Sequence, residues 1–237
     1  HDQEVLNQPS GHISIGTVDD TGVPLDPAQG RVYGVLTGVS NRRLVGSGWG
    51  VAAKTTTGGL GVLIDRPARE ITDQELGISA ALPGLDGGRL VAEVRASCDP
   101  IERVDSLRIA LSTLVNDRDP ALVAEARNVV DVAAMAEHDR SICRIEQLAQ
   151  AAHVSVRSVQ RLFNVHVGVS PSWVIRRWRI IEAAEAAGNN VDLDDPTDWP
   201  GWATLSERLG YADQAHLIRD FRRHLGTTPG QYRERNS

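Results

Sequence analysis

The chain has 237 residues, of which 41% are hydrophobic, and its formal net charge is −6. This length suits one large domain or two ordinary ones, and no apolar run approaches the ~18 residues that a membrane-spanning helix needs. The first residue is His1 and the only methionine is Met135. We therefore expect residues upstream of His1 to be missing.

The charge is unevenly distributed. Residues 139–237 carry thirteen arginines and twelve acidic residues, for a net charge of +1, whereas residues 1–138 carry a net charge of −7. A nucleic acid responds to the local charge of the surface that it meets rather than to the total. The acidic total therefore does not exclude DNA as a partner of the C-terminal part.

The residues that commonly bind metals are sparse and scattered. Cys98 and Cys143 lie far apart without a CxxC pair, which argues against a zinc site or a disulfide framework and favours the reducing cytoplasm. Only His1 and His12 precede residue 138, and neither clusters with cysteine or carboxylates, which argues against a metal-dependent cupin enzyme. GxSxG, P-loop and Rossmann motifs are absent. We predict a protein that is not an enzyme and uses no metal or cofactor.

The N-terminal part is predicted to contain short strands separated by glycines. Within residues 11–64 the strand candidates are 31–37, 49–53 and 60–64. Residues 73–97 are mixed and rich in turns. From Pro100 to Leu114 the apolar spacing becomes helical, and Asp119-Pro120 begins another helix that runs to about Ala136.

The polar segment 137–141 marks the predicted domain junction. We assign residues 1–137 to a β-rich domain with trailing helices and residues 138–237 to an all-helical domain, an α+β class overall. Helices are predicted at 142–152, 155–167, 171–187, 202–209 and 213–225, with a short one after Thr228-Pro229. The loop before residue 202 carries four aspartates at 192–198 without calcium-site spacing, so we interpret it as a solvated linker.

An eleven-residue pattern occurs twice in the helical part. Residues 161–171 and 219–229 share five identities at a constant offset: Arg161/Arg219, Phe163/Phe221, His166/His224, Gly168/Gly226 and Pro171/Pro229. A helix that recurs with its own stop glycine and proline indicates one structural unit used twice. Two copies are too few for a solenoid, which needs at least about three, so a pair of recognition elements fits better.

Each copy has the spacing of a helix-turn-helix. Ala149 provides a small side chain at the first helix crossing, four residues before the turn residue His153; Ser206 and Gly210 take these places in the second copy, whose turn is one residue longer. The side chains expected to face inward are Val154, Val159, Leu162, Phe163, Leu217 and Phe221.

The opposite helix faces are polar. They carry Arg157, Gln160, Arg161 and Asn164 in the first copy, and Gln214, His216, Ile218, Arg219, Arg222 and Arg223 in the second. Arginine and glutamine have forked side chains that fit the guanine and adenine edges in the major groove.

The other repeated residues are interpreted as structural. His166 and His224 lie near helix C-termini, where a cation suits the helix dipole, and Gly168 and Gly226 are helix-stop residues. Ser170 and Thr228 are predicted helix caps, each followed by proline, and a helix N-terminus also accepts a DNA phosphate.

Residues 142–234 resemble the DNA-binding domain of AraC-family transcription regulators. The segments that carry the resemblance occur in the family's order and are 154–163, 168–171, 176–179, 210–216, 219–221, 226–229 and 232–233. The resemblance implies two helix-turn-helix units joined by a central helix at about 172–187. It implies base-reading roles for Arg157, Gln160, Arg161, Gln214, His216 and Arg219. We further expect phosphate contacts from Ser170, Arg176, Arg222, Arg223 and Thr228.

Two residues of the second unit depart from this pattern. Leu217 stands where the family often has phenylalanine, which is a change in packing. Ile218 is apolar where the equivalent Gln160 is polar, so the second unit is expected to recognise fewer bases or to touch a thymine methyl group.

The N-terminal part resembles the sensor-type halves of regulators in this family, through residues 49–54, 58–60 and 66–73. Such halves bind a small-molecule effector or mediate dimerisation, so an effector and a homodimer are both expectations. Tyr33 and Trp49 are the only aromatic residues before residue 138. An effector pocket is therefore expected to be small and aliphatic.

These observations predict a cytoplasmic, sequence-specific DNA-binding transcription regulator. The family's bias is towards activation, which requires contact with RNA polymerase, and the two recognition helices would enter successive major grooves ~34 Å apart. Two alternatives stay open. An alkyl-transfer repair enzyme needs reactive and zinc-bound cysteines, of which the N-terminal half offers only Cys98. An effector-binding or dimerising adaptor whose helical domain binds protein is compatible with Ile218 and with that domain's near-neutral charge.

Overall fold

The computed structural model describes residues 2–5, 7–16, 30–38, 40–43, 48–188 and 201–236. The chain divides into two compact units, one made of residues 1–131 and 160–170, the other of residues 132–159 and 171–237. The domain boundary predicted at 137/138 stays a prediction, as does the aspartate-rich linker at 192–198, which lies outside the described residues together with His1.

The first unit contains two antiparallel sheets. Strands β1 (Asp2–Val5) and β4 (Ser40–Arg43) form one of them. The other has four strands in the order β5 (Gly50–Lys54), β2 (His12–Gly16), β3 (Arg31–Tyr33) and β6 (Glu75–Gly77). In β2 the side chains of Ile13 and Ile15 are both fully buried. They share one face because side chains alternate along a strand.

Helices cover the buried face of the four-stranded sheet. They are α1 (Leu60–Ile64), a 3₁₀ turn (Ala68–Ile71), α2 (Ile78–Ala81), α3 (Gly87–Ala96) and α4 (Pro100–Asn116). Helix α4 packs on both α3 and β5. One apolar core results, to which the helices contribute Leu60, Ile64, Leu90, Val94, Leu107 and Leu114.

The segment Leu60–Ile64 is helical, so the predicted strand at this position is wrong. All five residues are buried, and a short apolar run that is buried on every side has no periodicity to separate strand from helix. Arg118 stabilises the helix end, because its Nε donates to the Val62 carbonyl at 3.0 Å and its Nη2 donates to the Leu63 carbonyl at 2.7 Å. Asp65 follows with a left-handed φ of 51° and ends the helix.

The remaining helices agree with the predicted ones to within a few residues. Helix α5 (Pro120–His138) leads from the first unit into the second, and its predicted cap is confirmed, since Asp119 Oδ1 accepts from the Ala121 amide at 2.8 Å. The others are α6 (Ile145–Ala151), α7 (Val156–His166), α8 (Pro171–Gly188), α9 (Gly201–Arg208), α10 (Gln214–Leu225) and α11 (Pro229–Asn236). Among the described helices, none is both long and apolar enough to cross a bilayer.

We expect Gly34 to tolerate no side chain. A Cβ atom at this position would lie 1.7 Å from the Ile71 carbonyl oxygen, and the Gly34 amide is held by a 3.0 Å hydrogen bond to the Gln74 carbonyl. Gly34→Ala should lower the free energy of unfolding by ~1–3 kcal/mol or more, because the added methyl group would overlap the Ile71 carbonyl. Denaturant titration measures the change. Gly38 is the control, since its Cβ would meet nothing within 4 Å. Equal losses in both variants would contradict the packing described.

Candidate nucleic-acid interface

The first helix-turn-helix is closed by two backbone hydrogen bonds. The His153 amide donates to the Gln150 carbonyl at 3.1 Å, and the Val154 amide donates to the Ala149 carbonyl at 3.0 Å. His153 adopts a left-handed φ of 55°, which reverses the chain between α6 and α7. Ala149 is buried, as predicted for a helix crossing.

The second helix-turn-helix repeats this turn. The Gly210 amide donates to the Glu207 carbonyl at 3.0 Å, and the Tyr211 amide donates to the Ser206 carbonyl at 2.9 Å. Gly210 has a φ of 74°, and Ser206 is buried. The same bonds at equivalent positions confirm that one structural unit is used twice.

Both recognition helices, α7 and α10, begin with a side-chain cap. Ser155 Oγ accepts from the Ser158 amide at 3.1 Å, and Asp213 Oδ1 accepts from the His216 amide at 2.6 Å. Oxygen-bearing caps of this kind satisfy amides that the first turn leaves without an internal partner. The connection before α10 is one residue longer than that before α7, as predicted.

Apolar burial fixes the rotation of both helices. Val159 and Phe163 of α7 and Leu217 and Phe221 of α10 have no exposed surface. Val154 was expected to face inward but is 41% exposed. It belongs to the turn that precedes α7, where helical periodicity does not apply.

The polar face of α7 carries the three predicted base-reading residues of the first unit. Arg157, Gln160 and Arg161 are all exposed, and Asn164 is half-buried. Their spacing places them on the side of the helix opposite Val159. Each arginine has five N–H donors and the glutamine amide has two, which suits hydrogen bonding to base edges.

The polar face of α10 is more strongly cationic. Arg219, Arg222 and Arg223 are exposed, as is Gln214 at the start of the helix. His216 is half-buried, with Nε2 lying 3.8 Å from Asp220 Oδ2. Ile218, at the position equivalent to Gln160, is also half-buried. No ion pair joins Arg219 to any residue that the structure describes, so its guanidinium is available to a ligand.

Arg161 differs from Arg219, because it forms an ion pair with Glu125 of α5. Its Nη1 and Nη2 donate to Glu125 Oε1 and Oε2 at 3.2 and 3.3 Å, and His166 Nε2 lies 3.1 Å from Oε1. The hydrogen bond from Arg161 lowers the pKa of the Glu125 carboxyl. The Arg161 side chain is 59% exposed, so the pair lies at the surface rather than in the interior. Nothing in the sequence signals this pairing.

The predicted phosphate contacts are also accessible. Ser170 is exposed immediately before Pro171 begins α8. Thr228 caps α11, since its Oγ1 accepts from the Gln231 amide at 3.3 Å. Arg176 is exposed on α8. Whether these side chains meet phosphates stays a prediction.

Two arginines of the central helix α8 are structural, which the sequence did not reveal. Arg177 has no exposed surface, its Nη1 donates to the His224 carbonyl at 3.2 Å, and burial lowers its pKa to about 10. Arg179 is 3% exposed and its Nη2 donates to the carbonyls of Asp139 at 2.7 Å and Ile142 at 3.3 Å. Both guanidiniums satisfy backbone carbonyls, so they add no charge to a DNA-facing surface.

The repeated histidines are structural, but the expected role as helix-end cations is wrong for His224. Burial, reinforced by Arg177, lowers the pKa of His224 to about 4, so its imidazole is neutral at pH 7. His166 is fully buried and contacts Glu125 rather than helix carbonyls. Gly226 is a confirmed helix stop, with a φ of 67° and its amide donating to the Arg222 carbonyl.

We expect the buried His224 to destabilise the protein in mild acid. Its pKa is about 4 when folded, against an ordinary value of 6.5, so the unfolded chain binds the extra proton between these values. The free energy of unfolding should therefore fall by as much as ~3 kcal/mol as the pH drops from 7 to 4. Urea titrations across this range should show a shallower fall for His224→Gln. Identical pH slopes for the variant and the wild type would show that His224 is not held neutral.

Comparisons with known proteins agree with this geometry. Residues 148–235 match a family model described as a helix-turn-helix domain. The RCS-specific HTH-type transcriptional activator RclR of Escherichia coli strain K12 is 28% identical over 162 residues, which cover 66% of this chain and 50% of the relative. The transcriptional activator NphR of a Rhodococcus species is 32% identical over 100 residues, covering 42% of this chain and 27% of the relative. The matches thus span no more than half of either relative.

Among solved structures, ToxT from Vibrio cholerae O395, bound to (E)-4-(8-methylnaphthalen-1-yl)but-3-enoic acid, matches 100% of this chain and 98% of its own. The TM-score is 0.48 and the sequence identity is 10%.

Proposed function

We propose that this chain, whose helical C-terminal part belongs to the AraC family of helix-turn-helix domains, is a sequence-specific DNA-binding transcription regulator. The observation that carries the proposal is the duplicated recognition unit. Each copy has the same turn, a side-chain cap and a buried apolar pair, and each exposes arginine on its second helix. A helix with this arrangement is what major-groove recognition requires.

The relatives support activation as the direction of regulation. Both RclR and NphR are transcriptional activators, which supports activation by this chain and, with it, contact with RNA polymerase. We assign the contacts with DNA from the chemistry of the exposed side chains. Arg157, Gln160 and Arg161 of α7, with Gln214, His216 and Arg219 of α10, recognise base edges; the exposed cations Arg176, Arg222 and Arg223 and the helix N-termini at Ser170 and Thr228 hold phosphates.

Arg219 and Arg222 form a matched pair for testing this assignment. Arg219→Ala should cost ~1–3 kcal/mol at one base position and relax specificity there, because a bidentate base contact is lost. Arg222→Ala should weaken binding to all sequences alike and flatten the dependence of affinity on salt, because one phosphate contact is lost. Binding to a randomised duplex library at two salt concentrations measures both effects. If both variants shift affinity uniformly across the library, the base-reading assignment is wrong. If the wild-type chain binds no duplex at either salt concentration, the protein-binding adaptor is favoured.

A cleft in the first unit supports a small-molecule effector. Its volume is about 340 Å³, and it lies between β5 and α4. The aliphatic side chains of Ile13, Leu63, Leu111 and Val115 line it, together with polar groups that include Lys54. An apolar floor with a few polar groups at its edge is usual for ligand sites, and this one suits a small, largely aliphatic molecule.

An apolar patch on α4 supports a homodimer. Ile101, Val104 and Ile109 are exposed by 71%, 51% and 55%, and they flank the Arg108–Asp105 ion pair. We expect Ile101→Asp to shift the chain from dimer to monomer in sedimentation experiments, because a charge there opposes burial. Arg89→Asp, an equally exposed position on α3, is the control. Unchanged sedimentation of Ile101→Asp would exclude this patch from the dimer.

A further inference from the structure

We infer that Glu125 acts as an internal competitor of DNA, and that specific recognition by α7 requires the Glu125–Arg161 ion pair to break. This inference rests on the proposed DNA-binding function. It concerns the control of that function by the part of the chain that precedes the helix-turn-helix units.

The ion pair occupies one of the two-nitrogen edges that Arg161 could offer to a base. The two terminal nitrogens of Arg161 donate to the two carboxylate oxygens of Glu125. Guanine accepts a bidentate contact from the same guanidinium fork through O6 and N7. While the pair persists, its carboxylate also cancels the positive charge that attracts DNA to this part of α7.

The carboxylate is not free to follow Arg161. Glu125 also contacts the fully buried His166, so a second partner holds it in place when the arginine turns outward. An Arg161 side chain engaged with a base therefore leaves Glu125 behind, and the two arrangements are mutually exclusive.

The C-terminal end of α7 belongs to the first unit and makes further contacts within it. Thr72 Oγ1 donates to the Gly168 carbonyl at 2.8 Å. A Cβ atom on Gly61 would lie 2.7 Å from the Val165 carbonyl oxygen. The backbones of α1 and of the end of α7 are therefore packed closely together. These contacts hold the end of α7 against α1 and Thr72, so the segment that presents Arg161 and His166 to Glu125 is fixed within the first unit.

The arrangement links the N-terminal unit to recognition. Any event that shifts α5 relative to the end of α7 changes how easily Arg161 is released. Arg219 has no ion pair among the described residues, so the competition acts on one recognition helix and leaves the other available. The first unit, which contains both Glu125 and Arg161, can thus set the affinity of the chain for DNA through α7.

The test compares Glu125→Gln with Asp131→Asn in the full chain. Both remove one negative charge from α5, and Asp131 is exposed, so the second variant measures the general electrostatic effect alone. The probe is a duplex selected by the wild-type chain from a randomised library. We expect Glu125→Gln to bind about two- to fivefold more tightly than Asp131→Asn, the range set by a surface ion pair. This difference in affinity should vanish when Arg161→Ala is added to both variants, because Glu125 then has no arginine with which to pair.

The outcomes separate the inference from the function. If the wild type selects no duplex, the proposed DNA-binding function is wrong and the inference falls with it. If the wild type binds but Glu125→Gln equals Asp131→Asn, or binds more weakly, Glu125 does not compete with DNA and the inference alone is wrong. Should Glu125→Gln fail to fold, Glu125→Asp replaces it. This variant keeps the charge, so the wild type is its comparator, and tighter binding than the wild type is expected because a carboxylate one methylene shorter lengthens and weakens the pair with Arg161.

Discussion

The orientation of both recognition helices depends on the burial of two side chains one turn apart. Val159 and Phe163 in α7, like Leu217 and Phe221 in α10, have no exposed surface. Residues four apart lie on one stripe of a helix, so burying both leaves no rotational freedom. The residue midway within each pair, Arg161 in α7 and Arg219 in α10, then faces outward. The cationic face is thus a consequence of apolar packing, and it would persist whatever the ligand.

Much of this arrangement could be predicted, because the chain presents it twice. Helix-stop glycines, capping residues and apolar spacing each give weak information, but their recurrence at a fixed offset fixes the turn geometry seen at His153 and Gly210. The wrong predictions concern segments whose residue pattern does not indicate which side of the chain is buried. The run Leu60–Ile64 is buried on all sides, so it has no periodicity. Val154 lies in a turn, where its apolar character says nothing about the side to which it points.

The partners and burial of individual charged side chains were the features least predictable from the sequence. Arg177 and Arg179 lie within a cationic motif, yet both are buried and donate to backbone carbonyls. The neighbouring His224 is neutral in consequence of its burial and of Arg177. Burial and long-range partners decide such cases, and neither is encoded in local spacing. Glu125 is the clearest example, because it meets Arg161 across 36 positions of the chain.

The two recognition helices therefore differ in two properties, the hydrogen-bonding groups that they offer to bases and the availability of their arginines. Helix α7 offers base edges the richer set of hydrogen-bonding groups, since Gln160 stands where α10 has Ile218, but its Arg161 must first leave Glu125. Helix α10 offers fewer specific donors and a denser group of arginines, so it suits attraction to the phosphate backbone. If DNA is the ligand, α10 can engage at little cost while α7 discriminates among sequences only after its ion pair is exchanged for a base. At a mismatched site Arg161 can keep its pair with Glu125, so the cost of the exchange falls on the correct site, and the pair lowers both the affinity for that site and its margin over mismatched sites.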